Sequence, residues 1–267
     1  MQTISTTLCS MVIVLIAAKP VLAKSKSPEL PVEKALSMFA APDMTQHFSS
    51  YSLDVESKIT VMRGVTQALQ DDRFLFERDD LGSTHGLSRT ERDRLEITTT
   101  GNETFVRHGK GPMRRVSRED TDITRVSGLA FASLGQTLAL FNAYAEAPSG
   151  RRVGSRTVRH YTITSRKTPI GPLGVSLSPP SAAWRTNRVI SKLQGHLDVD
   201  EETGLIIGAE IKGTLRSGDN TDISVRYVAT VEKINSTPRI RPPVRHDEEY
   251  EAPTYNHQPV KFFEPKS

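Results

Sequence analysis

The side chains best suited to chemistry in this sequence are its seven histidines: His47, His85, His108, His160, His196, His246 and His257. None are spaced like the paired imidazoles of a short metal motif such as His-Glu-x-x-His. His160 and His196 fall in strand-like segments and could approach in space, but two imidazoles at an unset separation do not make a metal site. Ser83-Thr84-His85-Gly86 places a hydroxyl beside an imidazole. Adjacent residues rarely aim at one atom, and no acid partner is evident, so the run reads as a glycine-bounded connection between strands rather than a nucleophile with its base. Asp198-Val-Asp-Glu-Glu-Thr-Gly204 invites a calcium reading. An EF-hand loop needs Gly sixth and Glu twelfth; here those places hold Thr203 and Ala209, and a hairpin turn explains the run better. The chain also lacks the nucleophile elbow, the Walker loop and the dinucleotide-binding glycine pattern. No catalytic, cofactor-binding or metal-binding residue is assigned, no cofactor is expected, and the expectation is a protein that is not an enzyme.

Charge is placed in blocks. Nine Lys or Arg residues and no acid lie between Arg151 and Lys192; eight acids lie between Asp198 and Glu232. Two readings follow. The blocks pair across adjacent strands, or Arg151, Arg152, Arg156 and Arg159 form a basic rim that contacts an anionic membrane surface or another polyanion. Over the whole chain, 35 basic and 31 acidic residues leave a charge of only +4, too sparse an excess for a nucleic-acid partner.

The elements that would carry these residues are mostly strands. Tyr51 to Thr60 alternates, with Tyr51, Leu53, Val55 and Ile59 on one face. Phe74-Leu-Phe76 is a short strand. Leu95 to Thr98 and Thr104 to Arg107 flank Gly101-Asn102 as a hairpin. Strands near Val158 to Ile163, Val189 to Val199, Leu205 to Leu215 and Asp222 to Val231 follow, and the last three form an antiparallel meander. Helical spacing appears twice. Pro31 to Ala41 is a short amphipathic helix ended by Pro42. Val126 to Ala147 is a long one, with Leu129, Leu134, Leu138 and Phe141 on its apolar stripe; Gly128 and Gly135 weaken it, and Pro148-Ser149-Gly150 stops it.

The chain has 267 residues, enough for one large domain or two small ones, and its mean hydropathy of -0.39 excludes a polytopic membrane protein. Leu8 to Ala18 is an uncharged apolar run. As a helix it rises only about 16 Å, roughly half a bilayer, so with Val21-Leu22-Ala23 after it the segment reads as a secretory signal. The one cysteine, Cys9, falls inside it, which leaves a mature chain from Lys24 without disulfides or thiol chemistry. We therefore expect a signal peptide over 1–23, one domain over 24–236 and a Pro-rich extended tail over 237–267, in a periplasmic or secreted protein.

The fold class expected is mainly β with α: a strongly curved antiparallel sheet, an incomplete barrel, covered by helices. Its order resembles the LolA/LolB-like fold of bacterial envelope carriers. The resemblance runs from Pro31 to Ile234 and rests on the leading helix, the curled strands, the Val126 to Ala147 plug and the strand–turn–strand Leu197-Asp-Val-Asp-Glu-Glu-Thr-Gly-Leu205. It implies an exported protein that binds or carries an acyl lipid or a lipidated protein in an apolar cavity. Leu53, Val55, Leu129, Leu134, Leu138 and Phe141 are the candidate lining. The alternative is a non-enzymatic structural or interaction protein of the envelope with a filled core.

Overall fold

The computed structural model describes residues 41–90, 93–117, 122–141, 143–165, 188–217 and 220–243. The expected signal segment, residues 31–40 of the expected Pro31 to Ala41 helix and the tail beyond residue 243 lie outside these. The first described element is a helix of 7 residues, α1 (Ala41–His47), with Pro42 in its first turn. Pro42 was expected to end a helix. Its fixed φ and missing N–H suit the first turn, where that donor has no intrahelical partner.

Six strands follow: β1 (Tyr51–Arg63), β2 (Thr66–Arg78), β3 (Thr84–Arg89), β4 (Arg94–Thr100), β5 (Glu103–His108) and β6 (Arg114–Val116). A helix of 19 residues, α2 (Asp122–Leu140), leads to β7 (Ala143–Val153), β8 (Arg156–Ser165), β9 (Arg188–Asp200), β10 (Ile206–Ser217) and β11 (Asp222–Glu232). The described strands make one 11-stranded sheet in the order β6-β5-β4-β3-β2-β1-β11-β10-β9-β8-β7. It is two meanders, β1 to β6 and β7 to β11, fused along β1 and β11. There Leu53 faces Val231 and Val55 faces Ala229, and all four are buried. The sheet is antiparallel and open, as expected. Its helical cover comes down to α1 and α2 among the described residues.

The α2 helix packs on β2, β3 and β4 of one arm and on β7 and β11 of the other. Its first turns place Val126 in a small core with Leu95, Ile97, Val106 and Val116. Its later turns place Ala130, Leu134 and Leu138 in the main core. The helix therefore joins the two arms through one apolar stripe, the arrangement that a spacing of three and four dictates.

Two expectations are corrected. The long helix ends at Leu140, not Ala147, and the segment from Ala143 is an edge strand paired with β8. Alanine fits either period. Ala143 and Ala145 are buried at alternate positions, and backbone pairing to β8 decides the outcome. Pro148 sits at the register shift between Glu146 and Ser149, where an edge strand tolerates it. Second, the connection read at Ser83 to Gly86 is largely strand β3. Its Gly86 is a site of close approach: a Cβ there would lie 3.2 Å from Val126 Cγ1 on α2. Glycine in a strand thus marks where the helix comes down on the sheet.

Candidate functional site

The apolar residues expected to line a cavity meet on one face, beneath α2. Leu53 and Val55 come from β1, Leu134 and Leu138 from successive turns of α2, and Phe141 from the turn after it. All five are at most 1% exposed and belong to the main core. The side chain of Leu129 lies outside what the structure describes. The packing here is tight: a Cβ on Gly213 of β10 would stand 2.4 Å from the Phe141 ring, so only glycine allows the ring to lie there.

Two tyrosines bring hydroxyls into this interior. Tyr227 is fully buried, its pKa driven upward by loss of water, with its hydroxyl 3.4 Å from Ser133 Oγ on α2. Tyr51 is pushed up to about 12 by burial, opposed by Arg78, and its hydroxyl has no hydrogen-bond partner among the described residues. Its ring begins an aromatic chain: Phe76 lies 6.0 Å away and meets Phe131 of α2 edge-on at 6.1 Å. A buried hydroxyl without a partner costs about 1–3 kcal/mol.

A polar pocket of about 830 Å³ lies over β2, β3, β4 and β5, lined on its outer side by residues 237–241 and 243. These tail residues strap onto the body: Thr237 N–H donates to Ser50 Oγ at 3.1 Å and Ile240 N–H to Asp79 Oδ2 at 3.0 Å. In the pocket His85 sits between two carboxylates, with Nδ1 3.5 Å from Glu77 and Nε2 3.4 Å from Glu96. Arg107 donates to Glu96, and Lys233 Nζ lies 2.8 Å from Glu77. The hydrogen bond from His85 holds Glu96 down at about 2 against the opposing effect of burial, with help from Arg107. The bond to Glu96 likewise raises the His85 pKa, against burial. For Glu77 burial pushes upward, yet Lys233 and His85 together outweigh it and the net shift is down. The sequence showed no acid for His85. The structure supplies two, from the strands on either side. Ser83 does not join them; its N–H donates to Asp79 Oδ1 at 2.8 Å in the turn before β3.

The third cluster lies on β8 and β9. His160 stands opposite Asp198 in the ladder, and His196 precedes Asp198 by two residues on the same face. His160 Nδ1 is 2.8 Å from Asp198 Oδ1, His196 Nε2 is 3.6 Å from Oδ2, and the imidazole centroids are 4.7 Å apart. Burial lowers the His196 pKa, with the nearby charges partly cancelling, which favours a neutral ring. The two histidines that could approach in space thus do so, around an acid.

The charge blocks pair across strands at three of the four arginines. Arg151 bonds Asp198, Arg156 bonds Asp200 at 2.8 Å, and Arg159 lies 3.9 Å from Glu201. Arg152 is exposed. Asp200 also accepts from the N–H and hydroxyl of Thr203 at 3.0 and 2.7 Å, and Gly204 has φ +74°. The acidic run is the hairpin turn that its composition indicates.

No protein-family model and no curated protein matches the sequence. Solved structures resemble the chain. A DUF1329 family protein from Desulfovibrio piger is 10% identical, with 75% of this chain and 92% of that one covered at a TM-score of 0.24. A LolA superfamily protein from Nitrosomonas europaea is 9% identical over 78% and 93%, with a TM-score of 0.24. A domain from Vibrio parahaemolyticus described as an outer membrane lipoprotein-sorting protein is 6% identical over 76% and 93%, with a TM-score of 0.23. A LolA superfamily protein, of the fold the sequence order resembles, is thus among these structures, at a TM-score of 0.24.

Proposed function

We propose that this is an exported, periplasmic envelope protein that binds or carries an acyl lipid or a lipidated protein between α2 and the sheet. The observation that carries the reading is the nature of the α2 seal. The helix closes an open sheet through Val126, Ala130, Leu134 and Leu138, and a bond from its middle to the sheet is a long 3.4 Å contact from Ser133 to Tyr227. An acyl chain can replace such contacts one for one, since each buried CH₂ is worth about 0.8 kcal/mol. Gly128 and buried Gly135 lower the intrinsic stability of the helix that would move. The Tyr51 hydroxyl, without a partner among the described residues, offers a polar anchor within the same interior. The apolar run at Leu8 to Ala18 supports export. A contact with anionic membrane would fall to the exposed Arg152 and to Arg159, whose side chain is 54% exposed and whose acid partner lies as far as 3.9 Å away.

A second reading, a non-enzymatic interaction protein with a filled core, is favoured by the full burial of Leu53, Val55, Leu134 and Phe141. Titration of delipidated protein with a fluorescent fatty-acyl probe separates the two. Saturable uptake is expected of a carrier; its absence overturns the carrier reading and leaves the filled core.

A further inference from the structure

We propose that His160, His196 and Asp198 form a binding site for a divalent transition-metal ion of the zinc class. One ligand atom from each residue lies within 4.8 Å of the other two. A tetrahedral zinc site with bonds of about 2.1 Å sets its ligand atoms about 3.4 Å apart. His160 Nδ1 lies 2.8 Å from Asp198 Oδ1 and His196 Nε2 3.6 Å from Oδ2, so rotation of the side chains within this cluster is what would bring both nitrogens to a shared ion.

The sheet pre-arranges these ligands. All three project from adjacent strands on one face, with Asp198 fixed opposite His160 by backbone pairing. Across the ladder on β10, Gly208 stands opposite Asp198 and Glu210 opposite His196. A Cβ at Gly208 would come within 3.1 Å of Asp198 Oδ2, so the glycine leaves the carboxylate its room. The Asp198 side chain is only 4% exposed, whereas both imidazoles are about a quarter exposed. The carboxylate is therefore held firmly while the nitrogens remain reachable from solvent.

Two imidazole nitrogens and one carboxylate oxygen suit zinc and its neighbours. Calcium and magnesium favour sets made of oxygen. On binding, the metal replaces the His160–Asp198 hydrogen bond, and the neutral His160 ring keeps its one proton on Nε2 so that Nδ1 offers its lone pair. Arg151, 2.5 Å from Asp198 Oδ2, stays as an outer partner that orients the carboxylate. Three protein ligands leave a fourth position for water or for an anionic group of a guest.

The test is calorimetric titration of zinc chloride into untagged full-length protein stripped with a chelator. One ion per chain is expected, with magnesium giving no saturable binding. His160→Asn and His196→Gln should each weaken zinc binding by about tenfold or more, while His47→Gln, on an exposed helix end, should not. Absence of saturable zinc binding, or full affinity in the His160→Asn/His196→Gln double variant, overturns the proposal. Should those variants lose their fold, NMR of the wild-type imidazole nitrogens decides. Zinc must move the His160 and His196 resonances; movement confined to other histidines overturns the site.

Discussion

The Phe141 ring lies against the backbone of Gly213, so close that a methyl group on residue 213 would stand 2.4 Å from it. This contact locks the turn that follows α2 onto β10 and brings the end of the helix into the main core. Gly213→Ala should therefore destabilise the protein by about 1–3 kcal/mol, the usual range for overpacking a dense core. Urea denaturation with an unchanged m-value checks it. An equally stable variant would mean that the ring is free to swing aside.

Leu134→Trp probes the carrier reading directly. In a carrier the indole occupies space that an acyl chain would take, so probe uptake falls while the melting temperature is kept. In a filled core the added volume costs about 1–3 kcal/mol and lowers the melting temperature. Melting and uptake measured on the same two proteins distinguish these outcomes.

The Glu77–His85–Glu96 cluster predicts a stability window in pH. The folded pKa of His85 is raised, so its contribution is fully present below its unfolded value of 6.5 and is lost as pH rises through the folded pKa. The folded pKa of Glu96 is lowered to about 2, so its contribution is present above 4.5 and is lost as pH falls toward 2. Both act fully between 4.5 and 6.5. His85→Gln should flatten the decline in stability between about pH 6 and 8. Denaturation midpoints at half-unit steps of pH show whether it does.

Asp200 and Glu202 both face Arg156, yet they should behave differently. The Asp200 side chain is 2% exposed and also caps the β9–β10 turn through Thr203; that of Glu202 is 83% exposed. Asp200→Ala leaves the largely buried Arg156 guanidinium with only the exposed Glu202 carboxylate, beneath an uncapped turn, and should cost about 3 kcal/mol. Glu202→Ala should cost under about 1 kcal/mol. Paired denaturation curves test the contrast, and equal losses would refute it.

The sequence by itself determined whatever depends on near neighbours. The alternation of Tyr51, Leu53 and Val55 marked β1 and its buried face. Gly101-Asn102 marked the β4–β5 hairpin, and Thr203-Gly204 the turn that begins the last meander. Period and turn chemistry act over a few residues, so they can be read from the chain directly. Tertiary structure decided what depends on register between distant strands. Ala143 and Ala145 fit a helix or a strand, and only pairing with β8 settled them. His85 has no acid beside it in sequence, but β2 and β4 bring Glu77 and Glu96 to its two nitrogens. His160 and Asp198 are 38 positions apart, yet they meet because β8 and β9 align them. A shift of one residue in that register would send one partner to the opposite face, so the cluster exists only once the sheet has formed.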